Sequence, residues 1–457
     1  MTKSKKSNLF GLSGSVKDQL AQKMLEKRLK KVTEEQMSKE DVIRPRKSLS
    51  VNSKIPDKFY RFDKFPGYQQ IRILETGGKQ LGVESPFFKV HEGVAKNTTQ
   101  INGQEYINFA SYNYLDLCGH PDVSQAAKDA IDQYGTSASA SRPVAGERPI
   151  QRYLERALAE LYDVDDAIVF VSGHATNVTT IGYLFGPKDL ILHDSLIHNS
   201  IVQGVQLSGA KRLPFPHNDW QALDEILFQQ RKKYERVLIV IEGIYSMDGD
   251  YPDLKRFVEI KQRHKAFLMV DEAHALGVLG ENGHGIKEHA GVDGHEVDLW
   301  MGTLSKTLAS CGGYIAGEKA LVEHLKFSAP GFLYSVGIAP PVAAAALQAL
   351  KILDDEAERV KLLKARGNQF LRLAQENNLN VGSSAGLSVI PIITGSSAMA
   401  GRLANACFDR GINVQPIFYP AVQEGMARLR FFICSSHTKE QIDLTIKILV
   451  EEMNKLK

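Results

Sequence analysis

Five short runs of apolar residues alternate with amphipathic segments between about residue 120 and residue 305. The runs are nearly continuous in Val, Ile, Leu, Phe and Met, which is typical of strands buried on both faces of a parallel sheet. The segments between them have the spacing of crossover helices, so the pattern predicts an α/β fold with a mainly parallel sheet. The predicted strands are 167–171, 190–192, 237–241, 266–270 and 299–301.

A different pattern follows Pro340. An Ala- and Leu-rich stretch to about residue 378 predicts a long helix or a helix pair, and strands near 387–393 and 429–433 precede a closing helix from Lys439. This order predicts a smaller α+β domain. We divide the chain into an arm with a linker (1–60), an N-terminal segment (61–120), a large domain (121–345) and a small domain (346–457).

The arm has a character of its own. Apolar residues recur near helical spacing over residues 16–37, at Val16, Leu20, Met24 or Leu25, Leu29 and Val32, among many basic ones. The pattern predicts a basic amphipathic helix. Such a helix could pack on its own oligomer or a carrier protein, contact an anionic membrane surface, or act as a transit segment. The lysines in place of arginines, and the acidic residues, weigh against transit.

Composition narrows the class of protein without choosing it. The chain has 457 residues, a net charge of +3 and 43% apolar residues, which fits a multidomain globular protein and gives no general case for nucleic-acid binding. No apolar run reaches the length of a membrane span. Metal-ligand spacings are absent from the sequence, and the scattered cysteines favour a reducing, cytoplasmic location. These cysteines are Cys118, Cys311, Cys407 and Cys434.

Two motifs carry the chemistry. Lys306 lies among hydroxyl-bearing and small residues, and Asp271 precedes it by about 35 residues. Pyridoxal 5'-phosphate needs an amine that forms an imine with its aldehyde, donors around its phosphate, and a carboxylate that keeps its ring nitrogen protonated. Asp271, Glu242 and Thr303 each follow a predicted strand, and ligands of parallel sheets bind at the carboxyl ends of strands. The two motifs therefore predict a pyridoxal phosphate site.

The order of eight motifs makes a family resemblance specific. Over about residues 60–450 the chain resembles the α-oxoamine synthases, fold-type I pyridoxal phosphate enzymes, and is most similar to the serine palmitoyltransferase-like branch. The motifs are Ser111-Tyr-Asn-Tyr-Leu115, Gly135-Thr-Ser-Ala-Ser-Ala-Ser-Arg142, Ser172-Gly-His-Ala-Thr-Asn177, Asp194-Ser-Leu-Ile-His-Asn-Ser200, Glu242-Gly-Ile-Tyr-Ser-Met-Asp-Gly-Asp250, Asp271-Glu-Ala-His274, Thr303-Leu-Ser-Lys306 and Arg428-Leu-Arg430.

The resemblance implies roles for several residues around the cofactor ring. His198 is expected to stack on the ring, His274 to hydrogen-bond its hydroxyl, and Ser246 to lie near the same oxygen. Lys306 is expected to hold the cofactor and then act as a base, with Asp271 on the ring nitrogen. For each histidine the alternative is a satisfied interior polar group.

Further residues are expected at the phosphate. Gly173 and His174 would donate backbone N–H groups from a helix start, and Thr303 would offer its hydroxyl. Many relatives carry an aromatic residue at the position of His174, so the role of its side chain stays open. Ser335 matches the place from which family members reach the phosphate of a neighbouring subunit.

Substrate contacts are expected on the C-terminal strand and in the first of the eight motifs. Arg430 matches the arginine that binds the amino-acid carboxylate, although Arg428 lies on the same strand face and could be confused with it. Asn113 is a plausible second contact.

The resemblance implies a decarboxylative condensation of a small amino acid (glycine, alanine or serine) with an acyl thioester on CoA or an acyl carrier protein. A homodimer with a shared active site is implied as well. Two alternatives remain open, another fold-type I enzyme such as an aminotransferase or lyase, and a non-catalytic partner subunit. The presence of Lys306 argues against the second.

Overall fold

The computed structural model describes residues 54–80, 84–419, 421–423 and 425–456. The helix predicted at 16–37 therefore lies outside the described residues. Within them, no helix is long and apolar enough to cross a membrane.

A seven-stranded sheet forms the centre of the large domain. Its strands are β3 (Asp166–Phe170), β4 (Leu190–Asp194), β5 (Lys211–Phe215), β6 (Val237–Glu242), β7 (Phe267–Asp271), β8 (Leu299–Thr303) and β9 (Gly313–Gly317). They lie side by side in the order β3-β9-β8-β7-β6-β4-β5. Strand β9 runs antiparallel to both of its neighbours, and the pairings among the other strands are parallel. The predicted mainly parallel sheet is confirmed.

Both faces of this sheet are covered. In β6 the side chains of Val237, Ile239 and Ile241 belong to one hydrophobic cluster, whereas Leu238 and Val240 belong to the cluster on the other face. Because neighbouring strand residues point to opposite faces, two covered faces require an unbroken apolar run. The runs in the sequence have this physical cause.

Helices connect the strands and build the remaining layers. Several begin at a proline in the first turn or at a side-chain cap, such as Ser172, whose Oγ accepts the N–H of Ala175 at 3.0 Å. The stretch after Pro340 is a helix pair. The α-helices are Pro66–Gln80, Pro121–Tyr134, Pro149–Tyr162, Gly173–Leu184, Asn199–Ser208, Trp220–Gln230, Leu254–His264, Ile286–Ala290, Lys319–Ser328, Pro330–Leu333, Pro340–Asp355, Glu358–Glu376, Ser397–Asp409 and Lys439–Leu456.

Two three-stranded sheets lie outside the central one. The first, β10-β13-β12, is antiparallel and consists of Val389–Gly395, Ala427–Phe432 and Gln415–Ile417. The second, β1-β2-β11, joins Thr98–Ile101 and Gln104–Asn108 to Ile412–Asn413. Strand β11 thus connects the segment predicted at 61–120 to the region after residue 346, while the domain boundaries themselves stay predictions.

Candidate active site

Polar residues collect at one edge of the central sheet. Strands β4, β6, β7 and β8 are parallel, so their carboxyl ends meet there. Glu242 and Asp271 are register partners at the ends of β6 and β7, and Thr303 ends β8. The edge therefore brings two carboxylates beside the loop that carries Lys306.

Lys306 lies in this loop, three residues after β8. Its Nζ has no hydrogen-bond or ion-pair partner among the described residues, and it is 5.5 Å from the centroid of the Tyr112 ring. Burial lowers the pKa of Lys306 from 10.5 to about 8, against the opposing effect of Asp271 and Glu242. A larger share of this amine than of an ordinary lysine is therefore uncharged, and nucleophilic, near neutral pH.

A cavity of about 320 Å³ opens on Lys306. The residues from Ala110 to Asn113 and Cys118 line it, together with Ser305, Lys306, Ala309 and Ser310. Asn113 lines it, with Nδ2 donating to the carbonyl of Ala95 at 2.9 Å and Oδ1 accepting the N–H of Cys118 at 3.0 Å. Both ends of the Asn113 amide are thus engaged by other groups of the protein.

Asp271 is buried and held by two donors. Its Oδ2 accepts from Asn177 Nδ2 at 3.0 Å, and its Oδ1 accepts the backbone N–H of Ala273 at 3.0 Å. These hydrogen bonds fix the orientation of the carboxylate.

His274 and His198 lie on the same edge. The Nδ1 atom of His274 is 2.7 Å from the Tyr114 hydroxyl, and burial lowers the pKa of His274 well below the usual value. His198 ends the loop after β4, and its backbone N–H donates to Glu242 Oε1 at 2.7 Å. Burial also raises the pKa of Glu242, and Asp271 adds to that effect.

The two arginines of β13 differ sharply. Arg428 is buried, and its Nη1 donates to Asp248 Oδ1 at 2.7 Å. Arg430 Nη1 donates to the carbonyl of Ser246 at 3.1 Å, and the guanidinium lies 4.6 Å from the Phe432 ring centroid. Among the described residues, no acidic side chain pairs with Arg430 and its buried Nε has no acceptor. Of the two arginines, Arg428 therefore has a buried acidic partner and Arg430 has none among the described residues.

The start of the helix Gly173–Leu184 faces the end of β8. A Cβ on Gly173 would come within 3.0 Å of Thr303 Oγ1, so only glycine allows this approach without displacing the threonine. Thr303 Oγ1 in turn contacts Ser305 Oγ at 2.7 Å. The backbone N–H groups of Gly173 and His174 belong to the first turn, where no intrahelical acceptor exists. These donors lie beside hydroxyls, an arrangement that suits an anion.

Ser335 has no described contact with the other predicted residues at this edge. It follows the short helix Pro330–Leu333, and its hydroxyl donates to the carbonyl of Val336 at 3.3 Å.

The donor set fits pyridoxal phosphate. An unpaired amine, a buried and oriented carboxylate and an anion-binding helix start lie at one edge of a seven-stranded sheet, with Lys306, Asp271 and Gly173 as their centres. This fold and site define a fold-type I pyridoxal phosphate enzyme.

Comparisons with known proteins agree. The model of aminotransferase class I and II matches residues 104–449. An 8-amino-7-oxononanoate synthase of Fervidobacterium nodosum is 40% identical over 380 residues, 82% of this chain and 96% of that one. Another, of Bacillus pumilus, is 36% identical over 386 residues, 84% and 96% of the two chains.

Solved structures extend the likeness. Serine palmitoyltransferase of Sphingomonas wittichii matches with a TM-score of 0.79 at 30% identity, covering 85% of this chain and 96% of that chain. A structure of serine palmitoyltransferase with a PLP internal aldimine matches with a TM-score of 0.81 at 28% identity, covering 85% and 98%. The chain belongs to the class I and II aminotransferase family and, within it, to the α-oxoamine synthases.

The predicted family, fold class and cofactor are thereby confirmed. The protein is a pyridoxal phosphate-dependent acyltransferase that condenses a small amino acid with an acyl thioester and releases carbon dioxide and free thiol.

Some residues at this edge were missing from the predicted site. Tyr112 and Tyr114 contact Lys306 and His274, and Asn177 and Ser200 connect Asp271 with His198. All four lie inside motifs that the sequence had already singled out. The sequence could have indicated these four residues only because they belong to the motifs. Which motifs contact one another depends on the tertiary structure.

Proposed function

We propose that Arg430 binds the carboxylate of the amino-acid substrate. The observation that carries this role is the contrast on β13, where Arg428 is neutralised by Asp248 while Arg430 has no acidic partner among the described residues. A guanidinium offers two parallel donors that match a carboxylate. Arg430 is thus the arginine whose charge is available to a substrate anion.

Lys306 and Asp271 would hold the cofactor and move the proton. Pyridoxal phosphate, when bound, accepts the electrons released when a bond to the substrate Cα breaks. The Asp271 carboxylate would stabilise a proton on the ring nitrogen, since Asn177 and Ala273 hold it in one orientation. The Lys306 amine, with its pKa lowered to about 8 by burial, is suited to take the α-proton.

The remaining side chains would bind and orient the cofactor. Gly173, His174 and Thr303 would hold the phosphate at the helix start. His274 and Ser246 would contact the ring oxygen, and His198 would cover the ring. Support comes from the burial of His274 and Ser246 at the edge that carries Asp271.

The homodimer is also proposed. Ser335 would complete the phosphate site of the partner subunit, which would explain why it contacts none of the other predicted site residues within one chain. Tyr334 and Val336 on either side are 86% and 49% exposed, as expected for residues covered in a dimer. Light scattering should give twice the chain mass of 50.7 kDa, and a monomeric active enzyme would contradict the proposal.

The substrate pair is open within this reaction class. The test is an absorbance titration with glycine, alanine, serine and threonine, followed by acyl-CoA or acyl carrier protein and a thiol-release assay. One amino acid should shift the absorbance spectrum of the cofactor-bound protein. Thiol release should then require the matching thioester. A spectral shift without thiol release from any donor would favour an aminotransferase or lyase.

The arm is proposed as a docking element for an acidic carrier protein. Its basic residues would complement the acidic surface of such a carrier. Deletion of residues 1–47 should weaken the use of carrier-bound acyl groups much more than that of CoA thioesters. Equal effects on both donors would exclude this role.

We also propose a cytoplasmic location. All four cysteines are free in the structure, as is usual in a reducing compartment. Fractionation of the native cells would test it.

A further inference from the structure

Two side chains outside the predicted site connect Asp271 to His198. Asn177 Nδ2 is 3.0 Å from Asp271 Oδ2 and 2.9 Å from Ser200 Oγ, and Ser200 Oγ is 2.7 Å from His198 Nδ1. Asp271, Asn177 and Ser200 are all buried. The result is a continuous hydrogen-bonded link from β7 through two helices to the loop after β4.

The direction of every hydrogen bond in the link can be deduced, beginning at the histidine. The backbone N–H of Ser200 points at His198 Nδ1 at 3.3 Å, where the ring caps the helix Asn199–Ser208. A backbone N–H can only donate, so Nδ1 is the acceptor. Desolvation lowers the pKa of His198, with Lys306 reinforcing and Asp271 opposing the shift, so the ring is neutral near pH 7. Its one proton is then on Nε2.

The rest of the link follows from that assignment. Since Nδ1 accepts, the Ser200 hydroxyl is the donor at 2.7 Å, and its oxygen is left to accept from Asn177. The Asp271 carboxylate also accepts. Ser200 Oγ and Asp271 Oδ2 therefore both need an N–H donor. The NH₂ group of Asn177, and not its carbonyl oxygen, must face these two atoms. The opposite atom, Asn177 Oδ1, is buried without a partner among the described residues.

We propose that Asn177 and Ser200 are positioning residues that fix His198 as the tautomer with its proton on Nε2 and link its orientation to that of Asp271. His198 then presents an N–H donor and no free lone pair at its outer nitrogen, so it cannot act as the base near neutral pH. The proton acceptor must be another group, and Lys306 is available. The inference rests on the proposed roles of Asp271 and His198.

The tautomer can be measured without cofactor or substrate. Protein labelled with ¹⁵N-histidine, with the His198 signals assigned by difference from His198→Gln, should show a protonated Nε2 and an unprotonated Nδ1 at pH 7.5. A protonated Nδ1 would overturn the proposal. This measurement needs no turnover. A protonated Nδ1 would therefore overturn the tautomer without affecting the proposed reaction, and failure of the proposed reaction would leave the tautomer result unchanged.

Substitutions test the transmission along the link. Ser200→Ala should move the Nδ1 signal toward that of an acceptor with fewer hydrogen bonds, and Ser200→Thr should restore it. Asn177 does not contact the His198 ring, so an effect of Asn177→Leu on the ring must pass through Ser200. A smaller shift of the Nδ1 signal in the same direction would show that the link acts as a unit. An unmoved signal in Asn177→Leu would exclude Asn177 from the mechanism.

Cofactor affinity supplies the second readout. Ser200→Ala should weaken pyridoxal phosphate binding about tenfold, the equivalent of one lost hydrogen bond, and should cost nothing further in a His198→Phe background. The matched control is Thr180→Val, which alters a buried hydroxyl one turn from Asn177 that has no partner among the described residues. If Ser200→Ala weakened cofactor binding equally in the wild-type and His198→Phe backgrounds, Ser200 would have only a structural role. The same conclusion would follow if the loss of affinity were no larger than that of Thr180→Val.

Discussion

Two clusters of charged residues in this enzyme differ in how their charges are paired. The first, which we call the paired cluster, contains Arg142, Glu147, Arg152, Glu155, Asp166 and Lys326. In it Glu155, fully buried, pairs with Arg142, Arg152 and Lys326 and also accepts the N–H of Val169. Every charge has an opposite charge beside it.

At the active-site edge, cations are left without such partners. Lys306 and Arg430 form no ion pair with a described residue, although Asp271 and Glu242 lie close enough to affect the pKa of Lys306. A buried charge without a partner is unfavourable in the free protein. The paired cluster therefore fixes the structure, whereas the site keeps charges available for a ligand at a cost in stability.

Substitution of Lys306, the unpaired amine, is expected to have the largest effect, and this effect is on turnover. Lys306→Ala should lower turnover by about a thousandfold or more, since an activated nucleophile and base is lost while the fold keeps its core. Thiol release under saturating substrates measures it. The control is Lys351→Ala, an exposed lysine on the helix Pro340–Asp355, which should retain full activity. Near-normal turnover in Lys306→Ala would remove this lysine from the chemistry.

The paired cluster should respond in stability instead. Glu155→Gln leaves Arg142 with less compensation in the interior, so the free energy of unfolding should fall by about 3–5 kcal/mol. Denaturant titration measures the loss. The KM for the amino acid should not change in the protein that remains folded, and an altered KM with unchanged stability would break the comparison.

The two arginines of β13 give a matched pair within one strand. Arg430→Lys should raise the KM for the amino acid about 10–100-fold, because the bidentate contact is lost, with little change in stability. Arg428→Lys should mainly reduce stability, because its partner Asp248 is buried with it. The opposite assignment of the two effects would mean that Arg428 is the substrate arginine.

The smallest effect concerns pH. Folded Lys306 has a pKa of about 8 against 10.5 for an ordinary lysine, so between these values the unfolded chain binds more protons and stability rises with pH. Below pH 8 the cost is fully present. Cofactor-free Lys306→Met should thus be more stable than the wild type at pH 7, and the difference should shrink toward pH 10. A difference independent of pH would show that Lys306 is not buried as a charge.

The strands that the sequence predicted are those with long apolar runs. Five of the seven strands of the central sheet and both predicted strands of the small domain are present, because burial on two faces leaves a strong pattern. Strand β5, Lys211–Phe215, pairs with β4 alone and has a largely exposed surface, so its pattern is weak. The antiparallel course of β9 has no counterpart in local sequence, since parallel and antiparallel strands differ in long-range connection.

The sequence by itself determined the reaction class of this protein. The cofactor chemistry requires an amine, a carboxylate and donors in fixed order along the chain, and Lys306, Asp271 and Ser172 to Asn177 supply them. Only the tertiary structure decided which charges are neutralised. Arg428 and Arg430 are the same residue type on one strand face, and the contact of Arg428 with Asp248, 180 residues away, separates them. Whether two charges pair depends on their distance in space, and local sequence patterns do not report that distance.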